Sequence, residues 1–165
     1  MKLSQGVEWA LHCALLLADA GEGAVSRRAL SGYFDLPDAY LAKHLKSLVR
    51  AGVLTAIPGP RGGFRLAKSA DRITVLDIVE AIEGTVSPFT CAEIRQRGTC
   101  AVPAELCAGP CPVAKVMYDA DDAWRASLSS VTLAELSGRM PSSARSRGRT
   151  WVLDPFSPLP PYSVG

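Results

Sequence analysis

Tyr40-Leu41-Ala42-Lys43-His44-Leu45-Lys46-Ser47-Leu48-Val49-Arg50-Ala51-Gly52 is followed by Val53 to Ile57, by Pro58-Gly59-Pro60-Arg61-Gly62-Gly63, and by Phe64-Arg65-Leu66. The first piece predicts a helix over 39–51. Leu41, Leu45, Leu48 and Val49 repeat at spacings that share one face, which leaves Tyr40, Lys43, His44, Lys46 and Ser47 for solvent or DNA. The two short runs around the Gly/Pro turn predict a hairpin, with Arg61 at a tip able to enter a minor groove. Working backward, Ser26 is a good N-cap for a helix over 27–34 that carries Arg28, and Asp35-Leu36-Pro37-Asp38 turns into the next helix. Two short helices joined by a tight turn and followed by a hairpin form a winged helix-turn-helix whose second helix reads DNA. The fold class expected is mainly α, with the winged helix-turn-helix domain over residues 1–84.

Further out, Ser4 precedes a run in which Val7, Leu11, Ala14, Leu15 and Ala18 recur at helical spacing until Gly21. Trp9, Ala10, Cys13, Leu16 and Leu17 fill much of the remaining circumference, so this first helix should be buried on several sides. Glu8 and His12 are the exceptions, one turn apart on one face. By themselves they read as a partly exposed carboxylate and a buried, hydrogen-bonded imidazole. Cys13 reads as a core thiol. On the other side of the hairpin, Ile73 to Ile82 predicts a fourth helix ending at Gly84.

Residues 85–112 hold Cys91, Cys100, Cys107 and Cys111 in a stretch broken by Gly98, Pro103, Gly109 and Pro110. Four thiols in such a loop can form disulfides, bind zinc or hold an iron-sulfur cluster, and a reducing compartment disfavours the disulfides. The start of the chain lacks the pattern of a secretory signal, and no run reaches about 18 uninterrupted apolar residues, so a cytoplasmic protein with no membrane span is expected. Residues 113–138 carry an apolar stripe longer than a domain of this size can cover, which predicts a dimerisation helix and a homodimer. Residues 139–165, rich in Pro, Ser and Arg, read as a disordered basic tail in which Trp151, Val152, Leu153 and Phe156 are able to dock.

Charge supports this division. Residues 26–72 hold nine Lys or Arg against three Asp, whereas residues 73–138 hold four basic against nine acidic residues. A basic module joined to an acidic one suits a nucleic-acid reader with a non-binding partner region. An enzyme such as a thiol oxidoreductase is not expected, since the chain has no Cys-x-x-Cys motif to activate a thiol.

Over about residues 1–137 the sequence resembles the IscR/NsrR family of bacterial winged-helix regulators. The resemblance rests on Met1-Lys2-Leu3-Ser4, on Tyr40 to Leu48 with Ala51-Gly52-Val53, and on Gly59-Pro60-Arg61-Gly62-Gly63-Phe64-Arg65-Leu66-Ala67. It rests also on Ile73-Thr74-Val75-Leu76-Asp77-Ile78-Val79-Glu80-Ala81-Ile82-Glu83-Gly84 and on Val131-Thr132-Leu133-Ala134-Glu135-Leu136. It implies a dimer that binds palindromic promoter DNA, acts as a repressor and holds an iron-sulfur cluster. The family's usual pattern is three cysteines separated by five residues each, with a fourth ligand from a nearby histidine or an acidic residue of the partner's first helix. Here the spacings are eight, six and three residues, and no histidine follows Cys111.

Matched to that family, Cys111 falls at the final cysteine and Glu8 at the acidic ligand. The resemblance therefore implies a [2Fe-2S] cluster held by Glu8 and His12 of one chain and Cys107 and Cys111 of the other, with a histidine ligand raising the reduction potential. Cys91 and Cys100 have no clean counterparts, and either one replaces Cys107 in an alternative ligand set. The expected role is redox sensing, with Trp9 beside Glu8 relaying a change at the cluster to the DNA-binding helices. The alternatives are a [4Fe-4S] cluster that senses nitric oxide, or zinc bound by the four loop cysteines.

Overall fold

A computed structural model describes residues 3–155 and 158–159. Helix α1 (Gln5–Ala20) is the centre of the molecule, with Val7, Ala10, Cys13, Ala14, Leu15, Leu16 and Leu17 all buried. Ser4 occupies the N-cap position without capping; its Oγ and backbone N–H both donate to Glu83 Oε1, at 2.6 and 2.8 Å. Helix α2 (Arg27–Phe34) begins as predicted, with the Ser26 side chain accepting from the Ala29 N–H at 3.1 Å, and ends at Asp35 in the left-handed conformation. Helix α3 (Asp38–Arg50) buries Leu41, Leu45 and Leu48 completely. Each such leucine contributes about 1.5–3 kcal/mol by burial, so the apolar stripe fixes how α3 faces the core.

The wing is an antiparallel pair, β1 (Leu54–Ile57) with β2 (Gly63–Leu66), in the register Leu54 to Leu66 and Ile57 to Gly63. Phe64 also exchanges two backbone hydrogen bonds with Val25, at 2.8 and 2.9 Å, which ties the wing to the chain entering α2. Gly63 permits this closeness, because a Cβ there would lie 2.8 Å from Ser26 N. Helix α4 (Val75–Glu83) starts with a reciprocal cap between Thr74 and Asp77 and stops at Gly84. The cysteine loop follows, irregular apart from short 3-10 turns at Ile94–Gln96 and Ala104–Cys107.

Two expectations are corrected beyond the loop. The helix predicted over 113–138 is two helices, α5 (Pro112–Ser129) and α6 (Leu133–Gly138). Thr132 caps α6 reciprocally with Glu135, and the Thr74–Thr132 bridge draws the chain back to the start of α4. Leu133 is fully buried in the reader's core, so α6 belongs to that core. The tail expected to be disordered also contains α7 (Ser142–Leu153), packed on α1 and α2. Its half-buried Trp151 docks as expected, the indole donating to Ala29 O at 2.8 Å, whereas Leu153 stays exposed. Phe156, proposed to dock with it, lies outside the described residues.

Candidate DNA interface and metal centre

The α3 face turned away from the core presents Tyr40, 65% exposed, with exposed Lys43 and Lys46 and half-buried Ser47. Arg61 is exposed in the β1–β2 turn, and Arg28 is exposed on α2. Arg27 donates from Nε to Asp38 Oδ1 at 2.9 Å and so joins α2 to the first turn of α3. The cations stand on a rigid scaffold with charge and shape suited to a duplex backbone.

His44, assigned from sequence to the same reading face, lies differently. Its ring is half-buried against α1, with Trp9 edge-on at 6.0 Å between centroids. Gly6 makes room for it, since a Cβ at Gly6 would lie 2.7 Å from His44 Nε2. Burial lowers the His44 pKa, and Lys43 adds to the shift, so the neutral imidazole is favoured at this contact. A direct packing contact thus joins α1 to the reading helix.

On the same helix, Glu8 and His12 are both exposed, which removes the reading of His12 as a buried imidazole. They help line an apolar groove formed by Leu3, Val7, Leu11, Leu136 and Met140. His12 also contacts Phe34 with 5.7 Å between ring centroids. Two donors on consecutive turns of the exposed strip of α1 are open to a group from outside the protomer.

In the cysteine loop, Cys111 is the residue before Pro112 at the start of α5. The Ala114 N–H is the main influence lowering its thiol pKa; the Val113 N–H, Arg95 and a hydrogen bond from Cys91 act in the same direction. Helix N-termini stabilise thiolate, the form that binds metal. Cys91 is thus a loop thiol that acts on Cys111, beside the Cys107 that the resemblance implies as its companion. Cys107 lies in the same electrostatic neighbourhood, since both Cys107 and Cys111 act on Arg95, and Cys100 is exposed.

Arg95 escaped the sequence reading, although Glu93-Ile94-Arg95 carries the clue. Glu93 accepts both Arg95 Nε and Nη2, at 2.5 and 2.8 Å, fixing a cation in the loop. Among the described residues of one protomer, no three His, Cys, Asp or Glu side chains converge as a metal site. The chain instead presents two separate donor pairs.

Arg125 of α5 ties this region to the reader. It bonds Asp121 Oδ2 at 3.1 Å, the Thr85 carbonyl at 3.0 Å and the Glu80 carboxylate. Residues 3–139 match the family profile described as Rrf2, iron-dependent transcriptional regulator. The chain belongs to the Rrf2 family. The YffB protein of Lactococcus lactis is 33% identical over 139 residues, covering 82% of this chain and 86% of its own. The HTH-type transcriptional regulator IscR of Cereibacter sphaeroides is 39% identical over 90 residues, covering 53% and 58%. Against most of its curated relatives, the chain spans little more than half of their own length. CymR, the global cysteine regulator of Bacillus subtilis, has a similar structure with a TM-score of 0.66 and 26% identity, covering 86% of this chain and 99% of CymR. The Rrf2 assignment bears out the IscR resemblance and the winged-helix regulator class, and among the described residues no helix is long and apolar enough to cross a membrane.

Proposed function

We propose that this protein is a cytoplasmic, homodimeric repressor that binds promoter DNA and senses redox state through a [2Fe-2S] cluster shared between protomers. The observation that carries the reading is the separation of two exposed or half-exposed donor pairs, Glu8 with His12 on α1 and Cys91 with Cys111 at the start of α5. Neither pair completes a site alone. Two carboxylate and imidazole donors from one chain and two thiolates from another fit the two irons of such a cluster, two ligands to each.

The exposed apolar residues of α5 support the pairing. Val113 and Val116 are 65% and 66% exposed, and Met117 and Tyr118 continue the surface. A second copy covers this face, and pairing brings the thiols of one protomer to the ligand helix of the other. Cys107 remains the ligand expected from sequence, and Cys91 is favoured because its thiol meets Cys111.

A [2Fe-2S] cluster supplies a one-electron redox couple when bound. Glu8 and His12 would hold that group on α1, and a change in its charge would act on the helix through their carboxylate and imidazole. Trp9 follows Glu8 in sequence and touches His44 of α3, so displacement of α1 reaches the reading helix in one packing step. Arg125 holds the start of the loop and α5 against α4. Local motion is thereby directed into the reader.

The test is iron and acid-labile sulfide analysis with visible and EPR spectra of anaerobically purified protein. Two irons and two sulfides per site, with an EPR signal appearing on one-electron reduction, are expected. A colourless protein with stoichiometric zinc would replace this reading with the four-thiolate one, and four irons with four sulfides would replace it with [4Fe-4S].

A further inference from the structure

Helix α7 carries Arg145, Arg147 and Arg149 with no acidic residue, and it lies beyond the 3–139 stretch of the family profile. It is closely docked. Gly148 is buried where a Cβ would lie 2.8 Å from Leu16 Cδ1, and the Trp151 ring stands edge-on to Tyr33 at 5.8 Å. With the Trp151 to Ala29 hydrogen bond, these contacts seat α7 on α1 and α2. Asp19 of α1 feels both Arg145 and Arg149; burial raises its pKa, while Ser137 and the two cations oppose that shift. Asp19 thus faces Arg145 and Arg149, and α7 itself carries three guanidinium groups and no carboxylate.

Its docking partner gives that charge a target. Helix α2 is the first helix of the helix-turn-helix, the element that crosses the phosphate backbone. Arg27 and Ala29 lie about 200° apart around α2, at about 100° per residue. Arg27 pairs with Asp38 of α3, whereas α7 meets α2 at the Ala29 carbonyl and the Tyr33 ring. Exposed Ser142, Ser146 and Arg149 share one face of α7 with Thr150, whose hydroxyl donates to the Ser146 carbonyl at 3.1 Å, and the serine hydroxyl and guanidinium donors suit phosphate oxygens.

We propose that α7 is a second DNA-contacting element, a cationic helix docked beside α2 whose face carrying Ser142, Ser146 and Arg149 binds phosphates just outside the segment read by α3 and the wing. The inference is independent of the cluster. It assigns the C-terminal helix an electrostatic role and widens the footprint without adding base recognition.

The experiment is a fluorescence-anisotropy titration of the full chain on random-sequence duplexes over a salt series, with Arg61→Ala as a control for the wing. On a duplex of about 40 base pairs, Arg149→Gln should lower the slope of log affinity against log salt by about 1 for each bound copy. That corresponds to about threefold to fourfold less affinity change across a fourfold rise in salt. Ser146→Asp should also lower the slope, Arg149→Lys should preserve it, and thermal melting should show each variant folded. On a duplex of about 15 base pairs, too short to include the flank, the Arg149→Gln effect should vanish. An unchanged slope for folded Arg149→Gln and Ser146→Asp, alongside a reduced slope for Arg61→Ala, would overturn the proposal. So would an equal loss on both duplex lengths, or a loss that Arg149→Lys fails to restore.

Discussion

Trp9 of α1 stands edge-on to His44 of α3, with 6.0 Å between ring centroids and 78° between ring planes. The two side chains come from the proposed ligand helix and the reading helix, so this contact joins the two elements directly. Trp9→Ala should leave the cluster's visible spectrum nearly unchanged and reduce the difference in operator affinity between oxidised and reduced protein. Gel-shift titrations in both states check it; an undiminished difference removes Trp9 from the relay.

The wing prediction rests on Arg61, exposed in the turn between paired strands. Arg61→Ala should weaken operator binding and lower the salt slope by about 1 for each bound copy, with dimer and cluster intact. Affinity equal to wild type would exclude the wing from the interface.

Sharing of ligands across protomers gives a complementation test. Neither His12→Ala nor Cys111→Ala homodimers should hold a normal centre, whereas a heterodimer of the two should rebuild one of two sites. Cys91→Ala should match the Cys111→Ala loss, and Cys107→Ala should retain the spectrum. The reverse pattern would restore Cys107 as the second thiolate ligand, and a wild-type spectrum and potential in His12→Ala would remove His12 from the site.

The α5 seam is open to charge insertion. Ala123→Glu or Val116→Asp, both at exposed positions of α5, should yield monomers by light scattering with poor cluster retention, because burying an unpaired carboxylate costs several kcal/mol. A persistent cluster-bearing dimer would place the interface elsewhere.

Glu83 supplies a pH signature. The Ser4 Oγ hydrogen bond is the main cause holding its carboxyl below the usual glutamate range, with the Ser4 N–H adding to it. A depressed folded-state pKa contributes stability above the unfolded value, near the ordinary 4.3, and that contribution fades as pH falls through the folded pKa. Ser4→Ala should therefore lower the urea midpoint more at neutral pH than in acid, the difference shrinking as pH falls through the folded pKa. An equal loss at neutral and acid pH would assign the effect to helix packing.

Much of this protein was set by local sequence. The Leu41-Leu45-Leu48 stripe, the Ser26 cap and the Gly/Pro turn around Arg61 specified the winged helix-turn-helix, because helix period, capping and turn chemistry act over a few residues. The break before α6 was also legible in Thr132-Leu133-Ala134-Glu135, a capping box, but the apolar stripe was read through it. Only the tertiary structure decided which residues meet across the chain. His44 has a polar side chain on an exposed helix, and the absence of a Cβ at Gly6, 38 positions earlier, lets it turn inward to Trp9. The Cys91 thiol acts on Cys111 at the start of α5 from 20 positions earlier, whereas the resemblance implied Cys107. Likewise α7 forms in a sequence too polar and arginine-rich to predict a packed helix, because Gly148 fits against Leu16 and Trp151 finds the Ala29 carbonyl. Such contacts depend on the backbone approach of elements distant in sequence, and periodicity carries no record of that approach.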